Sequence, residues 1–179
     1  MANTIYILEG ADGAGKTTFS KYLQEKYGAK YIHCSYSKEI DQYSMIKYME
    51  KKFLEALDAS IYNPVILDRH IISTLIYEHV YRRKIQDRPE LLEYAKLIFS
   101  IINSSSRLKV ILCHLDYPDW KENFLRSVIS DGKIEMYEFD AKLIEVYKSY
   151  ESLKNTGQIF GCKIPLETYN FKKDLVTYW

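Results

Sequence analysis

The chain has 179 residues, with 25 Lys and Arg against 24 Asp and Glu and an apolar content of 47%, which is one domain's length of nearly neutral chain. Neutrality excludes a protein whose main work is coating an extended nucleic acid, because that footprint shows as a basic excess, but it leaves small anionic ligands open. Cys34, Cys113 and Cys162 are odd in number and scattered, and the chain shows neither a signal pattern nor an apolar run near the roughly 18 residues of a membrane span, so the expectation is a cytoplasmic protein without a membrane partner.

The first apolar, β-branched run covers 4–9 and leads through a glycine-rich stretch into a helical pattern over 16–27. A strand over 30–35, a helix over 39–58 and a strand over 64–68 follow, then helical patterns over 70–84 and 88–104 and a strand over 108–114. Helical patterns over 117–129 and 135–153 lead to a fifth strand over 163–169, weakened by Pro165. Met45, Tyr48, Met49, Phe53, Leu54 and Leu57, and likewise Phe139, Leu143, Val146, Tyr147 and Tyr150, recur at three-and-four spacing and read as core faces. Strands alternating with helices predict an α/β fold, a five-stranded parallel sheet flanked by helices in three layers. With no internal repeat and no long linker, the whole of 1–179 reads as a single domain.

Gly10-Ala11-Asp12-Gly13-Ala14-Gly15-Lys16-Thr17 fits the phosphate-loop pattern G-x-x-x-x-G-K-[ST], placed between a strand and a helix. Gly10, Gly13, Ala14 and Gly15 let the backbone turn its N–H groups onto a phosphate chain, and Thr17 and Thr18 open a helix whose dipole adds positive potential. Lys16 would span the β- and γ-phosphates of ATP, and the Thr17 hydroxyl would ligate Mg²⁺. Asp68 and Arg69 end the third strand. In an open parallel sheet they emerge beside the loop, the acid available to the Mg²⁺ shell and the arginine to phosphate oxygens.

No Asn-Lys-x-Asp guanine motif is present, and the acid at the end of the third strand is followed by arginine, which favours kinases among phosphate-loop proteins. The segment from Leu8 to Thr18 resembles the opening Glu-Gly-x-Asp-Gly-x-Gly-Lys of thymidylate kinases. Asp68-Arg69-His70 with Ser73, Tyr77 and Glu78 is similar to that family's Asp-Arg-Tyr-x-x-Ser-x-x-Ala-[Tyr/Phe]-Gln, with His70 in place of Tyr and Glu78 in place of Gln. Asp131 to Glu135, then Phe139 and Tyr147, are placed like the end of the family's lid and the helix after it.

The resemblance implies a nucleoside-monophosphate-kinase sandwich that moves the γ-phosphoryl of ATP to a deoxynucleoside monophosphate, dTMP first. It implies that Asp12 contacts the sugar hydroxyl, that Arg69 holds the acceptor phosphate, and that Ser73 and Tyr77 line the acceptor pocket. Tyr43 and Lys47 sit near the position of the family's base-stacking aromatic and base-bonding arginine, although one turn of slippage would select Tyr48 or Phe53. With Gly13 in mid-loop, the catalytic cation is expected from a short lid at 117–134, where Arg126 is the choice and Lys121 and Lys133 lie near. Lys16, Asp68, Arg69 and Arg126 form the expected catalytic set. The family's Arg-Glu-Pro-Gly-Gly after the second strand is absent, so either Lys38 stands in for its arginine or the acceptor differs from dTMP.

Two alternatives stay open: a deoxynucleoside kinase with Asp68 or Glu39 as base, and a nucleotide-binding protein that performs no transfer. A zinc site built from His33, Cys34, Cys113, His114 and Cys162 fits no closed-site spacing. Arg82, Arg83, Lys84 and Arg88 read as a solvated helix end. Tyr169 and Asn170 are positional candidates for the adenine pocket. By resemblance, the apolar face of Ile72, Leu75, Ile76 and Val80 is expected to pair two copies into a homodimer. Of the 17 tyrosines, Tyr43 and Tyr77 are the ones chosen for the site, and most of the others receive no functional reading.

Overall fold

In the computed structural model, which describes residues 2–34, 41–82, 85–130 and 141–178, a parallel sheet positions every residue discussed below. Its strands are β1 (Ile5–Glu9), β2 (Lys30–His33), β3 (Val65–Asp68), β4 (Leu108–Cys113) and, after a two-stranded hairpin of β5 (Gln158–Ile159) and β6 (Cys162–Lys163), β7 (Leu166–Tyr169). Among the described residues the order is β2-β3-β1-β4-β7, all parallel, with Leu8 opposite Asp68 and Glu9 opposite Leu112. β1 is central because Ile5, Ile7 and Leu8 are buried on both faces of the sheet, as the unbroken apolar run requires.

The helices are α1 (Lys16–Tyr27), α2 (Gln42–Ala59), α3 (Ile71–Tyr77), α4 (Pro89–Ser104), α5 (Tyr117–Ser130), α6 (Ala141–Thr156) and α7 (Phe171–Tyr178). α1 ends at Gly28, whose φ of 62° lets its N–H return to Gln24 O at 2.9 Å. α2 begins after Asp41, whose carboxylate accepts from the N–H groups of Tyr43 and Ser44 at 3.0 and 3.1 Å. One core cluster joins Ile5, Ile7, Val65 and Leu67 to α2 through α6, and a second joins Leu8, Ile66 and Ile111 to Phe19, Tyr22 and Leu23 of α1. Helices therefore cover both faces of the sheet.

Four differences from the sequence reading have local causes. The fifth strand splits at Pro165 into β6 and β7, because proline cannot donate to the ladder. The turn at Phe160 and Gly161, both with positive φ, makes the β5–β6 hairpin, and α7 follows β7; neither element was legible. The helix expected over 70–84 gives way after Tyr77 to a π-helical turn, Glu78–Arg82, in which the fully buried Glu78 meets Arg82 at 2.6 Å and Arg88 at 3.4 Å. Arg82 and Arg88 are thus partners of a buried carboxylate rather than a solvated helix end. Finally, Ile72, Leu75, Ile76 and Val80 are buried in this chain's own core, where α3 packs against α4 and α6, and so cannot form a face between copies.

Candidate active site

β1 delivers its chain into the glycine-rich loop at Gly10, where φ is 147° and a Cβ would lie 2.3 Å from Cys113 O, so only glycine fits against β4. The loop wraps Lys16, which is buried, and its Nζ donates to Gly10 O and Ala11 O, both at 2.9 Å. Burial, then the neighbouring Arg69, bring the Lys16 ammonium down to about 8. Thr17 and Thr18 are exposed at the start of α1, and Ala14 is buried with its N–H on Ala11 O at 3.2 Å.

Arg69 follows β3 with a φ of 67°, a left-handed conformation uncommon for a side-chain-bearing residue. Its N–H bonds Leu8 O at 2.9 Å, and its guanidinium pairs with Asp12, donates to Ser73 Oγ at 3.3 Å and lies 5.2 Å from the centre of the Tyr77 ring. Tyr77 OH also donates to Asp12, at 3.0 Å. Burial alone would raise the Asp12 carboxyl; Arg69 and then Lys16 outweigh it and hold the group below its ordinary value.

Glu9, fully buried, fixes this arrangement from below. Its carboxylate accepts from His70 N at 2.9 Å, from Ser73 N at 3.0 Å and from Ser73 Oγ, which in turn meets Tyr150 OH at 2.8 Å. Desolvation raises the Glu9 carboxyl. Asp68 points toward the β2 edge: its Oδ2 accepts from Tyr31 OH at 2.5 Å and lies 3.2 Å from His33 Nδ1. The other oxygen, Oδ1, is buried with no partner among the described residues. Against the loop, a cavity of about 240 Å³ is lined by Asp12, Arg69, Ser73 and Tyr77 at one side and by Cys34, Tyr48, Met49 and Thr74 at another.

The expected residues thus divide. Lys16, Asp12, Arg69, Ser73 and Tyr77 come together around the loop and the cavity, and Asp68 borders them through β3. Tyr43 and Lys47 do not line the cavity: Tyr43 is 66% exposed with the Lys47 ammonium 4.4 Å from its ring centre, and Tyr48, one turn on, takes the cavity position. The apolar phase of α2 decides this, since burying Met45, Met49 and Phe53 turns Tyr43 and Lys47 outward. Arg126, 72% exposed at its side chain, pairs with Glu122 one turn earlier on α5. Tyr169 is buried against Phe19, and Asn170 starts α7. Lys38, Glu39, Arg83, Lys84, Lys133 and the end of the expected lid lie outside the described residues. Among the described residues no three His, Cys, Asp or Glu side chains group closely enough to hold a metal ion by themselves, and no helix is long and apolar enough to cross a membrane.

Several residues of the site carried no assignment from sequence. Glu9 stands inside the motif, but a lone carboxylate does not announce which N–H groups it will meet. Trp120 Nε1 donates to Asp12 O at 2.7 Å and Asn123 Nδ2 to Gly13 O at 2.6 Å, so α5 rests on the loop. Phe171 of α7 sits where a Cβ on Gly15 would be, 2.4 Å from its Cδ1.

No protein-family model matches the chain. A protein of Acidianus bottle-shaped virus (isolate Italy/Pozzuoli), named "Putative thymidylate kinase", is 31% identical over 138 residues, which make up 60% of this chain and 87% of that relative. Among solved structures, deoxyadenosine kinase from M. mycoides with bound dATP superimposes with a TM-score of 0.57 at 16% identity, covering 98% of this chain and 94% of that one. Polyphosphate kinase 2 from Arthrobacter aurescens TC1 gives 0.65 at 14% identity, covering 99% of this chain and 64% of that one. The YorR protein of Bacillus subtilis, in complex with phosphorylated GDP, gives 0.55 at 18% identity, covering 95% and 87%. At these identities the structures bear on the fold, and the viral relative carries the family: the chain belongs to the thymidylate kinase family of phosphate-loop kinases and is an ATP-dependent nucleotide phosphotransferase.

Proposed function

We propose that the chain transfers the γ-phosphoryl of ATP to a deoxynucleoside monophosphate, dTMP first, with the acceptor in the cavity beside the loop. The observation that carries this is Arg69. A left-handed residue holds a guanidinium at the cavity wall, braced by Ser73, Tyr77 and Asp12, where the acceptor's own phosphate would meet a planar fork of donors. Asp12, at the same wall, would take the sugar hydroxyl, and Lys16 would follow the phosphoryl being transferred.

An ionised acceptor phosphate requires no strong base, and the carboxylates at hand fit that chemistry. Both oxygens of Glu9 are bonded to the first turn of α3, and Asp68 Oδ2 is bonded by Tyr31 and His33. A nucleoside 5′-hydroxyl would need one carboxylate oxygen free as its base, and the one that these bonds leave unpartnered, Asp68 Oδ1, is the oxygen that Mg²⁺ would take. Mg²⁺ suits the Thr17 hydroxyl together with Asp68, whose unpartnered buried Oδ1 is an anionic oxygen ligand of the kind that ion takes; when bound, the ion offsets charge on the phosphate oxygens. Arg126 would supply a further cation, reached by leaving Glu122. One coupled assay tests the reading, offering ATP with dTMP, dUMP, dGMP, dCMP, dAMP or thymidine. Turnover of dTMP is expected to lead, and turnover of thymidine with none of any monophosphate would refute the assignment.

A further inference from the structure

The phosphate loop is held from outside by a helix that contributes no residue to its motif. α5 lays Phe124 on Gly13 so closely that a Cβ there would lie 2.9 Å from Phe124 Cα and 3.0 Å from its Cβ. From the same face the fully buried Trp120 donates to Asp12 O at 2.7 Å, and Asn123 donates to Gly13 O at 2.6 Å. Residues three and four apart lie on one helix face, so 120, 123 and 124 form a single contact.

In a trans peptide the carbonyl and the N–H of the same plane point in opposite directions. Holding Asp12 O outward therefore turns the Gly13 N–H inward, toward the concave side of the loop. Holding Gly13 O aims the Ala14 N–H at Ala11 O, where it makes its 3.2 Å bond. Two consecutive planes of a glycine-rich segment, the part of the chain with the most freedom to rotate, are thereby fixed by α5. α7 meets the start of α5 through surface ion pairs: Lys172 reaches Asp119 at 2.8 Å and Glu122 at 3.5 Å, and Lys173 reaches Asp116, just before α5, at 2.6 Å.

We propose that Trp120 and Asn123 are positioning residues for ATP: through the carbonyls of Asp12 and Gly13 they keep the loop in the shape that receives the phosphates, and they tie that shape to the helix that carries Arg126. This rests on the loop being the ATP site and not on the identity of the acceptor.

The test measures ATP affinity by titration calorimetry with Mg²⁺ present, and dTMP affinity separately, in the intact chain, in Asn123→Leu and in Trp120→Phe. Asn123 is partly exposed and its replacement has the same shape, so Asn123→Leu keeps the fold; Trp120→Phe keeps an aromatic ring and loses the N–H. Each lost bond is expected to weaken ATP about fivefold. In Asn123→Leu the dTMP affinity and the melting temperature stay as in the parent. Unchanged ATP affinity in both variants overturns the proposal, as does an Asn123→Leu protein in which ATP and dTMP weaken together with a lowered melting temperature. A parent that binds ATP but phosphorylates no monophosphate refutes the function proposed above and leaves this inference standing. A parent that does not bind ATP removes both.

Discussion

Two glycines with left-handed backbones separate the strain of the conformation from the fit of the loop. Gly13 has a φ of 77° and Gly28 a φ of 62°, but a Cβ on Gly13 would strike the Cα, Cβ and N of Phe124 at 2.9 to 3.1 Å, whereas one on Gly28 meets nothing within 4 Å. An alanine at either position carries a left-handed penalty of about 1 to 2 kcal/mol, offset by about 0.4 to 1 kcal/mol from the stiffer unfolded chain. Gly28→Ala is therefore expected to lose about 1 kcal/mol. At Gly13 the struck atoms belong to helix backbone and its first side-chain carbon, so α5 itself has to move, adding about 1 to 3 kcal/mol. At roughly 2 to 4 °C per kcal/mol for a chain of this size, Gly28→Ala melts some 2 to 4 °C below the parent and Gly13→Ala, at about 2 to 4 kcal/mol in all, roughly 4 to 16 °C below. Scanning calorimetry reads both numbers, and ATP titration should show affinity lost only in Gly13→Ala. A Gly13→Ala protein that melts no lower than Gly28→Ala would refute the reasoning, because it would mean that α5 does not rest on the loop.

Arg69→Ala is expected to weaken dTMP roughly 30-fold or more, as befits removal of one partner of a hydrogen-bonded charge pair, while ATP still binds; calorimetry with each ligand checks this, and intact dTMP affinity would count against the acceptor assignment. Burial pushes the imidazoles of His70 and His114 down to about 4, so both stay neutral in the fold while the unfolded chain takes up protons below about 6.5. Stability is then lost as pH falls from about 6.5 toward 4, by ~3 kcal/mol at most for the fully buried His70 and by less for His114; urea titrations across that window should show the decline, and a shallower one in His70→Gln. Lys16, lowered to about 8, regains its proton when an anion approaches, so binding ATP near pH 8 should take up about half a proton. Calorimetry in buffers of different ionisation enthalpy measures that uptake, and no dependence on buffer would contradict it.

The parts of the fold legible in the sequence are those with one dominant cause. β1, β3 and the end of β4 are apolar runs because both their faces are covered, and the start of α1 follows from the glycine-rich loop motif before it. The hairpin at Phe160 was hidden because its strands are two residues each, too short for any periodicity. Distance along the chain from Asp68 points to Tyr43, while the structure sets α2 by the burial of Met45, Met49 and Phe53; that apolar stripe is visible in the sequence, and its phase turns Tyr43 outward. Arg69, Asp12 and Tyr77 could be grouped from their motifs alone. The N–H groups that Glu9 meets, and the contact of Trp120 and Asn123 with the loop, depend on how one element packs on another, and no local spacing encodes that.

Tyrosine hydroxyls meet the carboxylates of a site that has to receive several phosphates. Three carboxylates surround the loop, and a site meant for anions has to keep them from repelling its ligands. Tyr31 OH bonds Asp68, Tyr77 OH bonds Asp12, and Tyr150 OH reaches Glu9 through Ser73 Oγ. A hydroxyl satisfies a carboxylate oxygen without bringing a second charge, so these bonds hold the carboxylates in place and leave the phosphates to Lys16, Arg69 and the N–H groups of the loop. The two cations are held differently. Lys16 rests on neutral carbonyls, and exchanging these for phosphate oxygens is a net electrostatic gain. Arg69 rests on the Asp12 carboxylate, so a phosphate arriving there replaces one anion with another. In the proposed reaction that exchange releases an oxygen of Asp12 while Tyr77 keeps hold of the other, and the freed oxygen is the acceptor that a sugar hydroxyl requires. Phosphate recognition and sugar recognition are then a single event at the cavity wall, which favours an acceptor carrying both groups over one carrying only the sugar.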